Sequence, residues 1–93
     1  LGKPVTPEQA FTAITPAIAA AAAALWYQRP DVASREALVS DLSLRILDRG
    51  LSEDLAAIEQ VGERVWWIQG MGYQLLREYI AEFEQHKGEV SGE

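Results

Sequence analysis

The chain has no cysteine, one histidine and one methionine in 93 residues. Without cysteine there is neither a disulfide framework nor a thiolate metal site. This also fits a reducing, cytoplasmic setting. A single histidine, His86, leaves little room for acid–base or nucleophilic chemistry. Ser34, Ser40, Ser43 and Ser52 have no histidine near them in sequence to activate them. The Glu-x-x-His spacing of carboxylate-bridged di-metal bundles is missing, because Phe83 stands three residues before His86. Glu82, one helical turn before His86, makes a surface pair and not an active site. Gly70 and Gly72 follow no strand, so they form no phosphate-binding loop. The chain is therefore read as a non-enzyme with no metal and no cofactor.

Bases are also scarce, eight Lys and Arg against fourteen Asp and Glu for a net charge of −6. Residues 1–50 carry five of each sign, while residues 51–93 carry nine acids and three bases. Such a surface repels phosphate backbones and anionic headgroups, which excludes direct nucleic-acid binding and membrane-surface binding as main roles. The apolar run from Ala17 to Tyr27 is short for a bilayer span. Pro16, Thr12 and Thr15 interrupt the place where the core of an export signal would lie.

No stretch alternates with period two. Ala, Leu, Glu, Gln and Arg dominate, all good helix formers. The expectation is an all-α single domain over 1–93, a small bundle of three main helices, with 1–5 and 88–93 frayed. The first helix spans about 7–28. Thr6-Pro7-Glu8-Gln9 reads as a capping box with proline at the first helical position. Phe11, Ile14, Ile18, Ala21, Ala22 and Leu25 form one apolar stripe that keeps its phase across Pro16, predicting a kinked helix and not two short ones. Opposite the stripe stand Ala13, Ala17, Ala20, Ala23 and Ala24, so the helix is lined by small residues on both sides. Ala17, Ala20, Ala21 and Ala24 are thus candidates for close helix–helix packing, and the helix is expected at the centre of a bundle or a dimer.

Arg29-Pro30 ends this helix. The second helix is read over 32–49, with Gly50 just past its end. Arg35 falls in its apolar stripe, either snorkelling from the helix end or pairing with a carboxylate at an interface. The third helix is read as one rod over 53–86, with Ser52 as N-cap. From Leu55 through Ile58, Val61, Val65, Ile68, Leu75 and Leu76 to Phe83, the apolar phase does not slip. Gly62 and Gly72 share that sector and read as notches for a neighbouring helix. A rod of that length exceeds what the first two helices cover, so the chain is expected to form a homodimer.

Trp66 and Trp67 are the strongest functional signal. Adjacent residues on a helix point apart, so both cannot join the core. Trp67 lies on the back of the stripe with Gly70, Met71 and Gln74, while Trp66 is at its edge. Aromatic anchors beside an adaptable thioether suit a docking patch for a protein partner. Tyr27, opposite the alanine stripe, is a further partner-binding candidate. The leading expectation is a protein–protein interaction module, meaning a small adaptor, regulator or assembly factor. The first alternative is a small acidic, phage- or mobile-element-like inhibitor that occupies a basic site on its target. The second is a bundle that holds an apolar ligand among Trp66, Tyr73 and Phe11.

Overall fold

The computed structural model describes residues 6–91, with side chains placed for residues 6–86. The chain is all-helical: α1 (Pro7–Gln28), α2 (Arg35–Asp48), α3 (Ser52–Ala56) and α4 (Val61–Ser91). Of the expected frayed ends, 1–5 and 92–93 lie outside the described residues. The helix at the other end continues to Ser91, beyond its predicted limit at 86.

α1 begins as its sequence dictates. Thr6 Oγ1 accepts from the Gln9 amide at 3.1 Å, and Gln9 Oε1 accepts from the Thr6 amide at 3.2 Å, with Pro7 at the first turn. The helix runs unbroken through Pro16. Pro16 deprives the Thr12 carbonyl of its amide donor, but both residues are exposed, where water reaches that carbonyl. α1 is the central element and packs against α2, α3 and α4. Its inner side, Ala10, Ile14, Ala17, Ile18, Ala21, Ala22 and Leu25, is buried. Ala17 and Ala21 are therefore close-packing residues. Ala20 is exposed and Ala24 half-buried, because α2, α3 and α4 cover only one side of α1.

α2 starts at Arg35, three residues later than expected. Ser34 is the reason: its Oγ accepts from the Ala37 amide at 3.1 Å and fixes the N-cap there. Before it, Arg29 and Asp31 form a two-toothed ion pair, at 2.9 and 2.8 Å, inside the α1–α2 turn. α2 ends in a Schellman motif. Gly50, at φ +64°, donates to the Leu47 carbonyl at 3.1 Å, and Leu51 donates to the Ile46 carbonyl at 3.0 Å.

The single rod expected over 53–86 is two helices. It does not break at Gly70–Gly72, where α4 is continuous, but at residues 57–60. No glycine or proline stands there, so local propensity does not cause the break. Arg64 holds it: its Nε donates to the Ile58 carbonyl at 2.6 Å and its Nη2 to the Ala56 carbonyl at 3.0 Å. Its Nη1 reaches the Ala13 carbonyl at 3.5 Å, so one guanidinium serves the end of α3 and ties it to α1. Ser52 is not the N-cap expected of it. Leu51 occupies that position, and Ser52 is buried as the first residue of α3.

The two glycine notches differ. A Cβ on Gly72 would stand 2.2 Å from Leu25 Cδ1 and 3.3 Å from Leu42 Cδ2, so α4 meets α1 and α2 at close range there. Gly62 faces open space, because the break places it in the exposed first turn of α4. The core joins Ile14, Ile18 and Leu25 to Leu38, Leu42, Ile46, Leu55, Ile68, Leu75 and Leu76. α4 at 31 residues is roughly 46 Å long against about 33 Å for α1 and about 21 Å for α2, at 1.5 Å per residue. Yet its apolar side from Val65 to Ile80 is covered by its own chain. Residues 81–86, past that cover, are mostly polar. Val61 and Phe83, at the two ends of the stripe, remain exposed, so the length mismatch leaves two small apolar ends and not one long bare face.

Candidate docking site

The first half of α4 carries the most conspicuous exposed aromatic surface. Trp66 is 67% exposed and Trp67 is 51% exposed. Their rings meet edge to face, 5.2 Å between centroids and 86° between planes. Two neighbours on a helix point about 100° apart, and here the core takes neither, because Ile68 fills the inner position. Exposing two indoles is costly, and apolar patches of this kind on soluble proteins commonly mark contact sites.

Trp67 also lines a cleft. Together with Met71 of α4 and Leu51, Asp54, Leu55 and Ile58 from the α3 region, it bounds a space of about 320 Å³. The wall is almost wholly apolar, with Asp54 its only charged member. The bend at 57–60 creates this cleft. A straight rod would carry Leu51 and Leu55 away along the axis; the bend folds α3 back beside the Trp67 face. Leu51, Leu55 and Ile58 escaped the sequence reading because a single helix places them two to four turns from Trp67. Arg64, the side chain that sustains the bend, was also missed. Its position, one turn after Gln60, resembles that of any solvent-facing arginine.

The other residues expected at the patch are distributed as follows. Met71 is half-buried beside Trp67. Gly70 is exposed with open space before its backbone. Gln74 is exposed on the same side of the helix, one turn beyond Gly70. Tyr27 is 81% exposed, but it sits at the C-terminal end of α1, not in this cleft. Its ring meets Trp26 edge to face at 6.5 Å. Trp26 is half-buried and carries the Arg35 guanidinium 5.2 Å above its ring, so Arg35, exposed at the start of α2, makes a cation–π contact there.

None of Phe11, Trp66 and Tyr73 lines the clefts described in this chain. Trp66 faces solvent. Tyr73 accepts hydrogen bonds at its hydroxyl from the side-chain amides of Gln28 and Gln69, which hold its pKa below the ordinary phenol value. A second cleft, between α2 and α4, mixes Leu44 and Leu75 with charged groups: Tyr79 donates to Asp41, and Arg45 pairs with Glu78 at 2.6 Å. These contacts knit α2 to α4. His86 and Glu82 lie 3.8 Å apart and are mostly exposed. Among the described residues, no three His, Asp or Glu side chains are grouped to hold a metal ion.

The apolar run Ala17–Tyr27 by itself is too short for a membrane span. The whole helix, Pro7–Gln28, does meet the length and hydropathy of a span, with mean hydropathy 1.5 over 18 residues, and 39% of that window is buried inside the bundle. The core helix of a small bundle passes the same test, and the buried stripe from Ala10 to Leu25 is a core stripe.

No family model, no curated protein and no solved structure matches this chain.

Proposed function

We propose that this chain is a non-enzymatic protein–protein interaction module, an adaptor, regulator or assembly factor, and that its docking surface is the Trp66–Trp67 pair with the adjoining Met71 cleft. One observation carries the reading: two indoles in edge-to-face contact stand largely in solvent beside an apolar cleft, while the same helix buries Ile68, Leu75 and Leu76 without them. Exposed aromatics of low rotamer entropy beside a flexible thioether are the composition of binding hot spots. Gly70 and Gln74 extend the same side with a low, polar border.

The test compares wild type with Trp67→Ala. Because Trp67 is half exposed, the substitution leaves the core intact, and thermal unfolding is expected to change by less than about 1 kcal/mol. Affinity for a partner captured from the native host is expected to fall by about 2–4 kcal/mol. Equal losses in fold stability and in capture would count against a docking role.

Self-association is a second reading, favoured by α1. Between Gln9 and Gln28 its outer side carries no charge and presents Ala13, Pro16, Ala19, Ala20 and Tyr27. A homodimer through that side avoids the acidic half of the molecule. The acidic-inhibitor reading rests on the charge of residues 51–93 alone, and it differs in its expected steep loss of affinity with salt.

A further inference from the structure

We infer that the cleft between α3 and the first half of α4 receives a basic segment of another protein, led by a bulky apolar side chain. This rests on the interaction reading above and names the chemistry of the partner. The floor decides the anchor. Leu51, Leu55, Ile58, Trp67 and Met71 offer hydrocarbon, an indole and a thioether, and about 320 Å³ is at the small end of the ~300–1,000 Å³ range of ligand sites. That space takes one or two large side chains, not the whole face of a helix.

The rim decides the charge. Asp54 is part of the wall. Glu53 adjoins it in α3, Glu59 follows Ile58 in the bend, and Glu63 stands one turn before Trp67 on the same side of α4. All four carboxylates are exposed, and none is in an ion pair among the described residues. From Leu51 to Leu76 four carboxylates face one base, Arg64, which keeps its charge while its donors are held by the carbonyls of Ala56 and Ile58, so the balance along this stretch is negative. The field at the mouth of the cleft is therefore negative. A second copy seated here by a two-fold axis would set these carboxylates against themselves. Nucleic acid and anionic lipid are repelled for the same reason. A lysine- or arginine-bearing segment with a leucine, phenylalanine or methionine anchor satisfies floor and rim together.

The experiment uses the full chain, isotopically labelled, and three short synthetic peptides. One carries lysines around a central Leu-Phe pair, one has glutamate at each lysine, and one keeps the lysines with alanine at the anchor. Amide shifts are followed at low and high salt. The expected result is that the first peptide binds at least about tenfold more tightly than either control. Its shifts should concentrate at Leu51, Asp54, Leu55, Ile58, Trp67 and Met71, and its affinity should fall with salt. Trp67→Ala or Met71→Gln should weaken it by about tenfold or more, and Glu63→Gln by a few-fold. The assignment is overturned if the glutamate peptide binds equally well or if the shifts spread over the acidic surface at large. It is also overturned if indole alone fills the cleft as tightly as the peptide, or if the same shifts arise from dilution of the protein without peptide. Should the peptides fail while capture of a host partner still depends on Trp67, the interaction reading stands and this partner chemistry falls. Loss of both removes the reading itself.

Discussion

Gly70 and Gly72 stand two residues apart in α4 and make opposite demands. A methyl group at Gly72 would collide with the buried Leu25. Gly72→Ala is expected to destabilise the fold by about 1–2 kcal/mol, overpacking outweighing the gain in helix propensity. Gly70 faces open space, so Gly70→Ala is expected to stabilise by about 0.5–1 kcal/mol. Thermal denaturation of the two variants checks both signs, and a Gly72→Ala protein more stable than wild type would contradict the close approach. At this scale the sequence is readable where a residue type admits one use. Thr6 with Gln9, Gly50 at its positive φ and Gly72 in the apolar sector were all placed from spacing alone. Gly62 was not, since its sector matches that of Gly72 and only the bend at 57–60 decides that it meets solvent. Ala20 and Ala24 carry the same ambiguity. Alanine is at home in core and surface alike, so its burial depends on which side the neighbours choose.

At the scale of elements, the bend is the least legible feature and the one that makes the cleft. Ala57-Ile58-Glu59-Gln60 contains no breaker, and the apolar phase continues through it. Tertiary capture overrides this local preference: α3 packs on α1, and Arg64 supplies donors to the carbonyls at the end of α3. Arg64→Ala is expected to cost about 1–3 kcal/mol through lost charge-assisted hydrogen bonds. It should also move the Cα chemical shifts of residues 57–60 toward helical values, as α3 and α4 gain the option of joining. Arg64→Lys, which keeps the charge but not the fork, should fall between. Unchanged shifts in Arg64→Ala would mean that packing alone bends the chain. The same competition shortened α2, where the Ser34 cap prevailed over the apolar residues before it.

For the whole molecule, one hydrophobic core joins all four helices. Expectation and structure agree on an all-α bundle with α1 at its centre. Past the bundle, Phe83 stays exposed at the end of α4 among Glu82, Glu84, Gln85 and His86, so that end is mostly polar. Several large apolar side chains stay exposed, among them Tyr27, Leu44, Leu47 and Val61, but of the described residues only Trp66 and Trp67 pair their rings beside an almost wholly apolar cleft. This concentrates the functional question on a single face. A photo-activatable residue in place of Trp66, adjacent to the cleft and free of core contacts, reads that face in the living native host. A discrete cross-link to one other protein, lost when Trp67 is also replaced by alanine, is the predicted result. Cross-links only to a second copy of this chain, or none above background, would contradict it.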